Sequence, residues 1–346
     1  MKIGIQPTPI GFTNSWIEYC EKEKIDYKLV DSFRDDIIEQ LTDCDAFMWD
    51  YDLILSKDNL VAKRLLFSLK QAGMVIFPSF NEVWHYDDKI GQKYLLEALQ
   101  VPFIPTYIFY NKKKAKVWAK NTVYPKVFKL KGGAGSSNVK LVNSYFQASK
   151  LINKAFSTGF KPVNKAHYLK ESYRKFKIRE ESLFSLFKHT IRYIIIPTDK
   201  EFIKQKERDY VYFQEFIPNN QSDTRVVVIN QNKAVAIKRF NRKNDFRASG
   251  SGDFEFLDNE NIRIDCLKLA FNTSKKLKMD SVGYDIVFDI NNNPLIIEIT
   301  YAYSGSIMNK CKGCWDDKLV WHESKVSVQH WMVDNIIEKL KKQKKL

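Results

Sequence analysis

From Val282 to Thr300 the chain reads VGYDIVFDINNNPLIIEIT, two apolar runs, Tyr284–Asp289 and Pro294–Thr300, divided by Asn291, Asn292 and Asn293. Ile and Val at this density favour strands, and an Asn triplet suits a turn, so the stretch is constrained to a hairpin central to an antiparallel sheet. Asp285 and Glu298 interrupt the apolar runs. A carboxylate is costly to bury without a partner, so a cation must accompany them. Magnesium, which takes a couple of carboxylates together with substrate phosphates, meets that need. Pairing with Lys or Arg at a sheet edge meets it too, and the hairpin alone leaves both readings open.

The rest of the chain changes texture as it approaches this hairpin. Strand-like runs at Lys2–Gln6, Tyr27–Val30, Ala46–Trp49 and Val75–Phe77 alternate with helical periodicity at Asn14–Lys24 and Leu60–Gln71, which predicts a small α/β unit with a mostly parallel sheet. Asp87–Leu99 is expected to be a helix that stops before Val101-Pro102. Hairpin-like strands follow at Val127–Lys131 and Val139–Val142, then at Val211–Ile217, Thr224–Ile229 and Ala234–Arg239, with a helix at Ile264–Leu277. The fold class expected is α/β, becoming α+β towards the carboxy terminus. The division expected is 1–88, 89–210 and 211–346, with a basic, aromatic-flecked insertion at 157–208 carrying Tyr173, Phe176, Phe184, Phe187 and Ile191.

The formal net charge of +15 raises nucleic-acid binding as a class, yet no zinc-finger spacing or RNA-binding aromatic signature accompanies it. Attraction to an anionic substrate or to a membrane surface explains the charge equally well. No apolar run approaches the roughly 18 residues of a membrane span, and MKIGIQPTPIGF leads directly into a strand, so a cytoplasmic chain is expected. Five scattered cysteines do not make a secreted disulfide framework. Cys311-x-x-Cys314 with His322 and His330 invites a zinc reading, but the spacing is too long for a finger and reduced thiols are the plainer account. Asp316, Asp317, Trp321 and His322 are expected to line the open side of a site near the hairpin.

Two further segments carry chemistry. Lys129 precedes the loop Lys131-Gly132-Gly133-Ala134-Gly135-Ser136-Ser137, where glycines let successive N–H groups approach phosphate oxygens. It is neither a Walker loop nor a dinucleotide fingerprint. The second runs from Lys238 to Gly252, where Arg247 stands before Ser249-Gly250-Ser251-Gly252. A guanidinium beside backbone and hydroxyl donors can grip a phosphoryl group or a carboxylate.

The order of these parts resembles the ATP-grasp superfamily: Asp88-Lys89 opening a helix, Lys129 with its glycine loop, Tyr212–Ile217, Asp223-x-Arg225, Asp245-Phe246-Arg247, and Asp285 with Glu298-x-Thr300. The resemblance runs from about Lys89 to Tyr303 and is nearest to the ribosomal-protein glutamate ligase branch and to ATP-grasp proteins of surface-polysaccharide clusters. It implies an ATP-grasp fold behind a pre-ATP-grasp α/β domain. It further implies an ADP-forming ligase that joins a carboxylate to an amine through an acyl-phosphate, using ATP and Mg2+ or Mn2+. By the same resemblance Lys89, Lys129 and Lys238 contact ATP, Gly132, Gly133, Gly135, Ser136 and Ser137 close over its phosphates, and Gln214, Glu215 and Ile217 hold adenine. Asp223 is the counterpart of a ribose-side residue, with Asn219 or Asn220 as alternatives. Arg225, Arg247, Ser249 and Ser251 would serve catalysis, and Asp285, Glu298 and Thr300 the metal, Thr300 standing where the family has Asn.

The expected partners are ATP, a carboxylate and an amine acceptor, the latter sugar-linked if the polysaccharide branch is the right one. Contact with the inner membrane surface and a homodimer complete the expectation. An ATP-grasp kinase that phosphorylates a hydroxyl, and a non-catalytic basic protein that binds nucleic acid, stay open as alternatives.

Overall fold

A computed structural model describes the chain except for residues 9–10, 53–54, 133–137, 162–205, 244 and 344–346. The first unit holds β1 (Lys2–Ile5), α1 (Thr13–Lys22), β2 (Asp26–Leu29), α2 (Ile37–Gln40), β3 (Ala46–Met48), α3 (Ser56–Gln71), β4 (Val75–Phe77) and α4 (Phe80–Val83). Its strands form a parallel sheet in the order β2-β1-β3-β4. Helices cover both faces, so successive residues of β3 are all buried: Met48 meets Trp16 and Cys20 of α1, and Phe47 meets Leu65, Leu66 and Leu69 of α3. The expected α/β unit is therefore present.

After α5 (Lys89–Ala98) come β5 (Thr106–Phe109), α6 (Lys112–Asn121), β6 (Lys126–Lys129), β7 (Lys140–Val142), α7 (Tyr145–Ala155) and β8 (Val211–Glu215). Among the described residues these strands make an antiparallel sheet in the order β5-β8-β6-β7. Period-two alternation splits its side chains between two faces. Phe128 and Phe213 pack under Ala115, Ala119, Ala148 and Ile152 of α6 and α7, while Val127, Lys129 and Gln214 look into a cavity on the other side. Asn111 and Ser144 cap the two helices through the amides of Lys114 and Gln147. The sequence reading missed β5, α6 and α7; α6 buries only two alanines fully, too small a stripe to register as periodic hydrophobicity.

The third unit comprises β9 (Ser222–Ile229), β10 (Lys233–Phe240), β11 (Phe254–Phe256), α8 (Ile264–Leu277), β12 (Ser281–Phe288), β13 (Pro294–Thr300), α9 (Gly305–Met308), β14 (Gly313–Asp316), β15 (Trp321–Glu323) and α10 (Val328–Gln343). The strand order is β13-β12-β9-β10-β14-β15, with β11 also on β10. One face packs Val226, Val228, Ala236 and Ile286 on α8. The other packs Val227, Ile229 and Val235 against Ile3, Ile5 and Trp16 of the first unit and Met332 and Ile336 of α10. This double burial explains the unbroken apolar runs in the strands. Because β8 pairs with β5 and β6, we propose that the second and third units divide within 216–221 rather than at 210.

A buried polar junction ties the first unit to the third. Glu82 accepts hydrogen bonds from the amides of Asp280 and Ser281, and the Asp280 carboxylate holds Lys339 of α10 at 2.5 Å. Burial, reinforced by Asp280, pushes the Glu82 carboxyl up from 4.5 to about 8. A carboxyl with a raised folded-state value makes the folded protein the better proton binder, so its stabilising share is whole below 4.5 and declines as pH rises towards 8. Thermal melts across that window should show Glu82→Gln flattening this decline while wild type keeps it.

Candidate active site

The charged residues of the cavity arise from the same strand periodicity that builds the core. Along β9 the face that carries Ile229 and Val227 continues with Arg225 and Asp223; along β10, Val235 and Ile237 continue with Arg239; along β12, Gly283 is followed by Asp285. The register sets Glu298, Asp285 and Arg225 directly abreast on β13, β12 and β9, with Ile237 next on β10. One half of the sheet face is thus sealed by the first unit, and the other half is the polar floor of a cavity of about 520 Å³.

Asp285 lies between two guanidiniums. Arg225 forks onto both its oxygens at 2.7 and 2.9 Å, and Arg239 reaches Oδ2 at 2.7 Å while forking onto Asp223 at 2.7 and 2.6 Å. Burial alone would raise the Asp285 carboxyl; the two guanidiniums overcome that and hold it well below the usual carboxylate range. The pairing left open by the hairpin is therefore realised for Asp285, by residues of neighbouring strands.

Two lysines stand over this floor. Asp88 caps α5 by accepting from Gly91 N at 2.9 Å, which sets Lys89 at the helix start with its ammonium 3.2 Å from Glu298 Oε1. Lys129, at the end of β6, is buried as well. Burial pushes its ammonium down to about 8; nearby Glu298 opposes the fall and Lys89 adds to it. An anion arriving beside it would raise that value again.

The wall between the two sheets is apolar, formed by Ile104, Val127, Phe216, Ile217, Val287 and Ile297. Gln214 is buried there, donating to Thr106 Oγ1 at 3.2 Å. The Glu215 carboxylate is strapped by Lys126 at 2.6 and 2.7 Å and by the Tyr107 hydroxyl at 3.1 Å. Opposite them the loop 242–252 is folded on itself: the Arg242 amide donates to Arg247 O at 3.0 Å, Arg242 Nε to Ser249 O at 2.7 Å, and Arg247 forks onto Asp245. Gly250 has φ +73°, the left-handed region that favours glycine in this turn. Ile237, Phe254, Ala302, Ile307 and Met308 give the cavity a further apolar lining.

Of the residues singled out in the sequence, Lys89, Lys129, Gln214, Glu215, Ile217, Asp223, Arg225, Arg247, Ser249, Ser251, Asp285, Glu298 and Thr300 all line this cavity. Lys238 does not, because it points to the opposite strand face from Ile237 and Arg239, towards Glu255 at 4.0 Å and over the ring of Phe240. Gly132 packs against Asp87. Gly133, Gly135, Ser136 and Ser137 lie outside the described residues, as does most of the 157–208 insertion. The Thr300 hydroxyl is engaged with its own turn, donating to Ala302 O at 3.1 Å and accepting from Ala302 N at 3.2 Å. Asn220 lines the wall, but its amide is clamped on both sides by the backbone of Phe288.

Asp316, Asp317, Trp321 and His322 are not cavity residues: β14 and β15 extend the sheet past β10, where Trp315 and Trp321 pack on each other and His322 pairs with Asp316 at 2.9 Å. Cys311 and Cys314 are buried in the core, and His330 stacks on Tyr19 with ring centroids 4.1 Å apart. Arg239 is a cavity residue that sequence reasoning left out of the candidate site. Its signal was the alternation in β10, where Arg239 falls two residues after the apolar Ile237.

Comparison with known proteins bears on this geometry. The RimK-like ATP-grasp domain family matches residues 113–314. The chain belongs to that family. Membership carries the coarse function with it, an ATP-dependent ligase of the ADP-forming type. Solved structures agree in fold: an ATP-grasp RimK domain protein from Sphaerobacter thermophilus has 13% identity and a TM-score of 0.56 over 97% of this chain and 100% of its own. The ATP-grasp ligase PsnB, complexed with minimal precursor, Mg and ADP, has 13% identity and a TM-score of 0.54 over 98% of both chains. The D-alanine–D-alanine ligase of Bacillus anthracis complexed with ATP has 13% identity and a TM-score of 0.57 over 100% of this chain and 98% of its own. No curated protein matches.

Two outcomes follow for this RimK-like chain. Replacing Arg239 with Met strips Asp223 of its forked partner and Asp285 of one of its two, and should cost about 3–5 kcal/mol of stability in urea unfolding. At a pH of about 9, where free Lys129 is largely neutral, ATP binding should take up close to one proton, seen as buffer-dependent heat in calorimetry and absent from Lys129→Met.

Proposed function

We propose that the chain activates a carboxylate as an acyl-phosphate and passes the acyl group to an amine, with ATP phosphates between Lys89 and Lys129 and adenine in the apolar wall beside Gln214–Ile217. The observation that carries this reading is the pair of buried lysines facing Glu298 and Asp285 across one cavity, with an apolar wall on one side and the 242–252 loop on the other.

The donor set fits a divalent cation. Glu298 and Asp285 are abreast on adjacent strands; Lys89 approaches Glu298 at Oε1, and Asp285, though it accepts three bonds from guanidiniums, retains a lone pair of its roughly four. Glu298 foremost and Asp285 second would hold Mg2+ or Mn2+, and we leave Thr300 out of the set. Bound there, the metal would supply charge neutralisation for the triphosphate.

In this reading the substrate carboxylate oxygen attacks the γ-phosphorus, the bond from that phosphorus to the bridging oxygen breaks, and ADP leaves with the electron pair. Lys89, Lys129 and Arg247 offset the charge of the transferring group. The amine nitrogen then attacks the acyl carbon, the C–O bond to phosphate breaks, and the nitrogen gives its proton to solvent. The apolar lining of Ile237, Phe254, Ala302, Ile307 and Met308 favours a substrate that has an apolar part. A polysaccharide-linked acceptor rests on family resemblance alone and would need its sugar hydroxyls bound away from that lining. A cytoplasmic location belongs to the proposal; among the described residues no helix is long and apolar enough to cross a membrane.

Thermal melts with ATP and Mg2+ test the site without the acceptor in hand. Saturating nucleotide at about 100 times Kd should add roughly 2.7 kcal/mol to wild type and much less to Glu298→Gln. Asp285→Asn should lower the melting point even without nucleotide, since Arg225 loses its counter-ion and Arg239 one of its two. Phosphate release that requires both a carboxylate and an amine would support ligation; a phosphorylated product with no free phosphate would replace it with a kinase, and no magnesium-dependent shift would remove the nucleotide site.

A further inference from the structure

Between Ala98 and Lys170 the chain has neither Asp, Glu nor Arg, while lysine recurs throughout. The fold gathers much of this single-sign charge on one side. Helices α6 and α7 lie together on the face of the second sheet turned away from the cavity, and Lys112, Lys113, Lys114, Lys120, Lys150 and Lys154 are all exposed there. No acidic side chain pairs with any of them among the described residues. Lys140, next to α7, has its ammonium lowered by burial and then by Lys154 and Lys150, so these charges are close enough to repel one another. Charge this unbalanced is a standing cost that an anionic partner relieves.

The same surface exposes apolar side chains: Val117 at 62% and Phe146 at 79%. On α6 the buried Ala115 and Ala119 point at the sheet, so Lys113, Val117 and Lys120 share the outward stripe; on α7 the buried Ala148 and Ile152 leave Phe146 and Lys150 outward. Lysines flanking an exposed ring and an exposed valine on two adjoining helices match what an interfacial helix offers a bilayer, cations for headgroups and apolar groups for the acyl boundary. The absence of arginine bears on the choice of anion. Planar guanidiniums are the residues of forked phosphate and base contacts, whereas hydrated ammonium groups suit a diffuse anionic surface.

We propose that the outer face of α6 and α7 docks this protein on a bilayer containing anionic lipid. The cavity lies on the opposite face of the β5–β8 sheet, so docking there leaves its residues uncovered. The proposal does not depend on which substrates are joined.

Flotation of the full chain with vesicles tests it, using phosphatidylcholine alone and phosphatidylcholine with phosphatidylglycerol at roughly 3:1. Binding is expected only to the anionic vesicles and should be lost at about 0.5 M salt. The triple variant Lys113→Glu, Lys120→Glu, Lys150→Glu should weaken it by about tenfold or more, and Phe146→Ser should weaken it several-fold. These side chains are exposed, so unchanged melting points should confirm that the variants are folded. The proposal fails if wild type ignores anionic vesicles, or if the folded triple variant binds as wild type does. It also fails if the chain binds single-stranded or duplex DNA with a steep salt dependence while leaving vesicles alone, which would make the lysine face a nucleic-acid surface instead.

Discussion

The carboxylate of Asp285, held between Arg225 and Arg239, is the contact on which the cavity floor depends. Three strands, β9, β10 and β12, each contribute one member, and Asp223 closes the group by taking the other fork of Arg239. Burying this many charges is costly unless every one is paired, and the pairing is available only when the strands keep the observed register. A slip of one residue on β9 would turn Arg225 and Asp223 into the α8 face of the sheet and expose Val226 to the cavity. The electrostatic cluster therefore does for register what the turn does for the β12–β13 hairpin. It also leaves the floor with net positive character once Lys89 and Lys129 are counted, suitable for a polyanionic ligand.

The first unit has a role here beyond its own core. Its helix α1 and strand β1 cover the apolar half of the third sheet, and α10 packs into the same layer, so only the half bearing Asp223, Arg225, Arg239, Asp285 and Glu298 stays open. The Glu82–Asp280–Lys339 junction fixes that arrangement with a proton-dependent contact at the start of β12, the strand that carries Asp285. The second unit closes the cavity with Val127, Lys129 and Gln214 on one face of its sheet and turns α6 and α7 outward on the other. Site and outer surface are thus the two sides of a single four-stranded sheet, which is how one segment of chain can hold both a cavity-facing lysine and an exposed basic helix.

Strand patterning made two acids of the cavity floor legible, and the family resemblance added Asp223 and Arg225. Asp285 and Glu298 stood out because carboxylates inside apolar runs demand a partner, and Lys89 through the resemblance to the ATP-grasp order of parts. The alternation that exposed those two acids also put Arg239 on the cavity face and Lys238 off it, yet a basic cluster with no partner in view reads the same for both. The helices α6 and α7 were obscured for a different reason: alanines bury the inner face of α6, and small residues leave almost no hydrophobic signature against a background of lysine. Cys311, Cys314, His322 and His330 resembled a metal set because linear spacing ignores the sheet, which sends two into the core and two to separate surfaces.

By itself the sequence determined what is local or periodic: the β12–β13 hairpin, the parallel sheet of the first unit, the lysine-only stretch after Ala98, and the family to which the chain belongs. Only the tertiary structure decided which cation answers which carboxylate. Asp285 and Arg225 are separated by 60 residues and meet solely through the register of β9 with β12, while Lys89 reaches Glu298 from a helix of another unit. Ion pairs of this kind depend on distances of a few ångströms between elements that spacing along the chain does not encode, so partners become readable only after the sheets are in place.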